Sequence, residues 1–199
     1  MKVSGTFKII SIDMRLQNLR ELFVSLSSIP TQGVHHMSES FDILLSRLTP
    51  YARLAVLSHA HRHMRAIKHR SIGAEHLLLG IMSVTPQSGE TNPVSSVLAQ
   101  QFDVSLYSLR EAVAAKPQLL DTELVDDLFT KSAVKALELA GVQAYRDQNR
   151  DGCITRFNIG LGLAEAGSPI VLSVLKTVGI DQDAFVASMR ENNNLAVRS

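Results

Sequence analysis

Apolar residues recur at steps of three and four along most of this chain. Leu57, Ala60, Met64 and Ile67 form one such stripe, the buried face of a helix. Just upstream, Thr49 precedes Pro50, a hydroxyl cap followed by a proline at the first helical position. A turn at "HRSIG" leads to a second and very apolar helix, "AEHLLLGIMSV", after which "TPQSGET" is polar and rich in breakers. Asn92-Pro93 restarts a helix with Val94, Val97 and Leu98 inward, and "DVSLYSLREAV" makes a fourth with Leu106, Leu109 and Val113 on one side. Strand-like alternation is nearly absent, so the pattern predicts an all-α protein.

The pattern also repeats. "FTKSAVKALELAGVQAYR" (Phe129 to Arg146) echoes "LTPYARLAVLSHAHRHMR" (Leu48 to Arg65), and "ITRFNIGLGLAEAG" echoes "IGAEHLLLGIMSV", with Leu161-Gly162-Leu163 matching Leu79-Gly80-Ile81. "SPIVLSVLKTVGIDQDAFVASM" follows "NPVSSVLAQQFDVSLYSLREAV" in the same way. The spacing between copies is 81 at Thr49 and Thr130, 82 at Gly80 and Gly162, and 76 at Pro93 and Pro169. The first copy therefore carries the longer loop. Two copies of about four helices each are predicted, over roughly 41–114 and 128–190, joined by a linker at 115–127. Residues 1–40 read as an extension, in which Asp13 caps a short helix bearing Leu16, Leu19, Phe23 and Leu26 before Pro30 and Gly33 break it. Met37 is an alternative start.

Composition narrows the setting. The 199 residues are 45% hydrophobic and 20% charged with a net charge of +1, so no global field selects nucleic acid or a membrane surface. Cys153 is the only cysteine, which suits a reducing compartment. The amino-terminal stretch is interrupted by Asp13, Arg15, Arg20 and Glu21 and lacks the apolar core of a secretory signal, so a cytoplasmic protein is expected. No phosphate-cradling G-x-x-x-x-G-K-[ST] motif is present.

The segment "HRSIGAEHLLLGI", a Thr at the first cap of each copy, and apolar "VL" helices ending in "VLAQQFDV" and "VLKTVGI" together resemble the Clp amino-terminal domain. That family is the two-repeat helical module preceding the ATPase rings of ClpC- and ClpA-type unfoldases. The resemblance covers roughly residues 41–190. It implies two tandem pseudo-repeats without catalytic residues or cofactor. It also implies a protein-binding role: holding substrates, adaptors, or the Clp unfoldase or peptidase subunits, and so regulating ATP-dependent proteolysis. An alternative is an accessory structural subunit of a Clp peptidase complex, with residues 1–40 as a docking arm. Neither membrane nor nucleic acid is expected as a partner.

In some members, two glutamates after the Gly of each turn bind phosphoarginine, because a carboxylate pairs with a guanidinium in a bidentate manner. The resemblance places the first at Glu75 and the second at Phe157, with the following His replaced by Asn158. The second copy cannot take a guanidinium in that way. Glu75 has a second reading, as a first-turn acid on a helix dipole. Thr49, Glu75, Thr130 and Phe157 are the candidate protein- or phosphoarginine-binding residues.

Two further patterns compete for attention. "SHAHRHMRAIKHRSIGAEHLLLG" holds five of the seven histidines, and Arg47, Arg53, Arg62, Arg65, Lys68 and Arg70 are the only charges between Asp42 and Glu75. His59 and His63 stand four apart and could share a metal, but third and fourth ligands are not apparent, so no metal site is expected. The basic run suits an acidic protein partner or a solvated face. "DQNRDGCITRFN" follows a calcium-loop spacing with Asp147, Asn149 and Asp151 at positions one, three and five, but Asn158 stands where a bidentate Glu belongs. The segment also falls where the repeat needs a turn, which Asp, Asn and Gly suit, and a calcium-responsive binding protein is the alternative reading.

Overall fold

The computed structural model describes residues 35–84, 93–116, 128–146 and 152–196. The chain divides into two units, Met1–His36 and Met37–Ser199, and nearly all described residues belong to the second. The helix expected near Leu16, the "TPQSGET" loop, most of the linker, and Asp147, Asn149 and Asp151 lie outside the described residues.

Nine helices are present among the described residues: α1 (His35–Ser46), α2, α3 (Ala74–Ser83), α4 (Pro93–Phe102), α5 (Leu106–Ala114), α6 (Lys131–Arg146), α7 (Arg156–Ala166), α8 (Pro169–Thr177) and α9 (Gln182–Ala196). Helix α2 is continuous but composite, with Pro50–Arg53 α-helical, Leu54–His59 a π-helical segment and Ala60–Ile67 α-helical again. The fold is all-α, and α2–α5 and α6–α9 are the two four-helix pseudo-repeats. Helix α1 precedes them and was not foreseen. Its Phe41, Leu44 and Leu45 are buried at helical spacing, and the Phe41 ring meets Phe129 edge-on at 5.1 Å between centroids.

Capping explains where the helices begin. The Ala52 N–H donates to Thr49 Oγ1 and the Ala133 N–H to Thr130 Oγ1, both at 3.4 Å. Ser105 and Ser108 cap α5 reciprocally, each hydroxyl taking the other's backbone N–H at 3.1 Å. Ser168 stands at the cap position of α8 without a side-chain cap bond, and Pro169 sets the first turn.

Helices α3 and α7 are buried almost all round, at Ala74–Met82 and Arg156–Ala164, and they pack against each other and against their own copy's first helix. That is why their sequences are apolar without a clear polar face. Close approach is permitted by glycine. A Cβ on Gly80 would collide with Ala55 O and approach Ala60 N to 3.0 Å; a Cβ on Gly162 would collide with Ala136 O and approach Ala140 N to 2.8 Å. In copy one those two partners are joined by a π-type bond, Ala60 N–H to Ala55 O, five residues apart. Their counterparts in copy two are four apart, within an ordinary α-helix. The first helix of copy one thus holds one extra residue, absorbed as the π segment. The gapless match of Leu48–Arg65 with Phe129–Arg146 fails beyond that point.

Each copy is also tied into the other. The Thr49 N–H donates to Ile154 O (2.9 Å) and the Ile154 N–H to Arg47 O (2.8 Å). In the symmetric place, Thr130 donates to Ile72 O (3.0 Å) and Ile72 to Leu128 O (2.7 Å). These single parallel bridges, Leu48 with Ile154 and Ile72 with Phe129, are the only strand-like pairings among the described residues. Each joins the turn before one copy's second helix to the chain entering the other copy's first.

Candidate functional site

The turns before α3 and α7 carry most of the residues singled out in the sequence. At the start of α3, the Gly73 N–H donates to His76 Nδ1 at 2.9 Å. At the start of α7, the Thr155 N–H donates to Asn158 Oδ1 at 2.9 Å, and Oδ1 also accepts from Thr155 Oγ1 at 2.7 Å. His76 and Asn158 are thus the same device in two chemistries, a third-position side chain satisfying the cap residue's donor.

That bond fixes the tautomers around His76. Its Nδ1 receives a proton donor, so Nε2 carries the hydrogen and donates to His69 Nδ1 at 3.0 Å. The two rings meet edge to face at 5.0 Å. Burial, then the nearby His69 and His63, lowers the His76 pKa to about 3, so the ring is neutral near pH 7. The Glu75 Oε1 contact to His76 Nδ1, at 3.1 Å, is accordingly not an ion pair there. Glu75 itself is only 2% exposed, its carboxylate lying against Gly73 in the first turn of α3. That is the favourable end of the helix dipole for a negative charge.

His69, Glu75 and His76 bring three potential metal donors within 4.8 Å of one another, a cluster not apparent in the sequence. A metal on His76 Nε2 would require the proton on Nδ1, where the Gly73 N–H already points. The hydrogen-bonded arrangement and metal ligation therefore compete for the same lone pairs. His59 and His63, paired in the sequence, have ring nitrogens engaged by different partners. His59 Nδ1 accepts from Arg62 Nη2 at 2.7 Å, whereas His63 is buried against Ser83.

Phe157 occupies the place of Glu75 in copy two and is buried at 9% exposure; Thr130 is buried and Thr49 partly so. The neighbouring Arg156 was overlooked in the sequence. Its guanidinium is buried, donating to Val84 O at 3.1 Å and lying 5.3 Å over the Tyr51 ring, which fastens α7 to the first copy. Asn158, the last position of the calcium-like spacing, has its Oδ1 committed to Thr155.

The basic run separates into two groups. Arg47 is not part of a solvated face: it donates to Gly152 O through Nε (3.0 Å) and Nη2 (2.7 Å) and stacks 4.4 Å over Tyr145. Arg53 reaches Leu45 O and Ser46 O, each at 3.3 Å. Arg62, Arg65 and Lys68 are exposed along the second half of α2.

No family model and no curated protein sequence matches the chain. In structure it is similar to the N-terminal domain of the caseinolytic protease associated chaperone ClpD from Arabidopsis thaliana. The TM-score is 0.56 at 19% identity, over 75% of this chain and 96% of that one. The fold is that of a Clp amino-terminal domain. What the two chains share is architecture. Within this chain that fold is held by the paired caps at Thr49 and Thr130, the close crossings at Gly80 and Gly162, and the cross-tied turns.

Proposed function

We propose that this chain is a non-catalytic protein-binding module working in a Clp chaperone or protease setting. It would hold a substrate, an adaptor, or the unfoldase or peptidase itself. The observation that carries the reading is the two-copy Clp N-domain fold, matched over 96% of the ClpD domain.

The chemistry of the serine–histidine contact found among the described residues supports it. His63 Nε2 and Ser83 Oγ are 2.6 Å apart, the spacing of a nucleophile and its base. Yet the Ser83 hydroxyl donates to Leu79 O at 2.8 Å, so its proton points away from the imidazole and His63 is the donor. His63 is buried and Ser83 partly so, which suits a structural bond.

Recognition in this reading does not run through a carboxylate that grips a guanidinium. A ligand could reach Glu75 only by displacing its packing against Gly73 and His76, and Phe157 has no charge to offer. Affinity purification of the tagged full chain from its native cell, with partners identified by mass spectrometry, tests the proposal. Recovery of a Clp unfoldase or peptidase is the expected result. Reproducible recovery of other proteins, with none from the Clp system, would sink it.

A further inference from the structure

We propose that the outer face of α2, together with α5, is a docking surface for an acidic peptide segment. Arg62 and Arg65 stand one helical turn apart and both are exposed, with Lys68 at the end of the helix. On α5, Arg110 is exposed, one turn beyond Tyr107, which is 72% exposed. Among the described residues none of these four cations forms an ion pair with a carboxylate; by contrast, Arg190 in copy two pairs with Glu165 at 2.8 Å. Arg62 is held in place by His59 Nδ1.

The same arginines act on the neighbouring histidines, second to burial. After burial, the charge causes that lower His59, His61 and His63 are Arg62 for the first, Arg65 for the second, and Arg62, Arg110 and His59 for the third. Arg62 and Arg110 both act on His63, so Arg110 of α5 lies near the second half of α2.

An acidic protein segment fits this face better than nucleic acid. A strand of nucleic acid needs a basic track with several stacking aromatics, whereas this face has one exposed aromatic and spans about two helical turns, in a chain of net charge +1. Exposed arginine beside exposed tyrosine is the composition of a protein-binding hot spot. The assignment rests on the protein-binding reading above but adds a partner chemistry and a place.

The test is fluorescence anisotropy on the full chain with a fluorescein-labelled peptide rich in Glu and Asp, its Gln/Asn counterpart as the neutral control. Arg62→Glu/Arg65→Glu should weaken the acidic peptide roughly tenfold, two exposed charge pairs each being worth up to about 1 kcal/mol. The matched swap on copy two, Lys135→Glu/Lys176→Glu, should leave binding unchanged, and circular dichroism should show both variants folded. No binding of the acidic peptide overturns the proposal, as does equal weakening by the two variants, which would reduce it to net charge. Tighter binding of a single-stranded oligonucleotide, lost with Arg62 and Arg65, would give the face to nucleic acid instead. The two readings fail separately. If the Arg62/Arg65 face binds no peptide while Clp subunits are still recovered, only this inference falls; peptide binding without Clp subunits removes only the other.

Discussion

His76 and Asn158 occupy one structural position in the two copies, each taking the backbone N–H of its helix's cap residue at 2.9 Å. Imidazole and amide share little but a planar acceptor at the right reach. The position is defined by that acceptor, and the rest of the ring is surplus to the cap.

Replacing His76 by Ala removes the acceptor and leaves a cavity in a fully buried place, at a cost of about 2–4 kcal/mol. His76→Asn should regain roughly 1 kcal/mol of that, the worth of a cap, although it cannot reach His69. Urea unfolding of the two variants decides the matter: an Asn variant no more stable than the Ala variant would deny the shared role.

Stability should fall in mild acid because of His63 and His76. Burial, reinforced for His63 by Arg62, Arg110 and His59, lowers their pKa to about 4 and about 3. The unfolded chain takes up these protons near pH 6.5, while the native chain does so only below about 4. The unfolded state therefore binds more protons throughout that window, and stability, complete above 6.5, declines as pH falls through it. Melting temperature against pH should slope accordingly, and His63→Gln should flatten the slope between pH 6 and 4. An unchanged slope in that variant would show that His63 is not among the groups responsible.

Gly80→Ala and Gly162→Ala should each destabilise by about 2–3 kcal/mol or more, since the added methyl meets a helix backbone rather than a side chain that can turn aside. Denaturant midpoints of the single variants measure this. A loss confined to one of them would mean that the two crossings are not equivalent, and the π segment opposite Gly80 would be the first place to look.

Arg47 and Arg53 belong to the same basic run in the sequence but should respond differently. Arg47→Ala removes two charge-assisted bonds to Gly152 O and the stack on Tyr145, about 1–3 kcal/mol. Arg53→Ala removes only long bonds at an exposed site and should stay within about 0.5 kcal/mol. Equal losses in thermal denaturation would contradict the division of the basic run.

Much of this architecture was legible along the chain. Caps at Thr49 and Thr130 and the stripe through Ala60, Met64 and Ile67 are local signals, and local spacing is what a sequence displays. Helix α1 carries the same kind of local signal, since Phe41, Leu44, Leu45 and Leu48 recur at helical spacing and are buried. The extra residue of α2 was harder to see. A π segment leaves helical periodicity nearly intact and shows itself only when Ala55 and Ala60, rather than a pair four apart, bracket Gly80.

The sequence by itself determined the helical class, the number of copies and the caps at Thr49 and Thr130, because these depend on neighbours within a few residues or on a repeat visible along the chain. It also held the repeat that requires two similar halves to bury each other's apolar faces. Only the tertiary structure decided the fate of each charge. Arg47 bonds Gly152, more than a hundred positions away, and Arg156 crosses to Val84; in both cases partner and desolvation come from the other copy. The Glu75 carboxylate folds back over Gly73 and is buried, whereas Arg62 and Arg65, from the same basic stretch, stay in water. Whether a charge can recognise a partner depends on burial and on the groups already spending its hydrogen bonds. Both are properties of chain segments brought together from far apart.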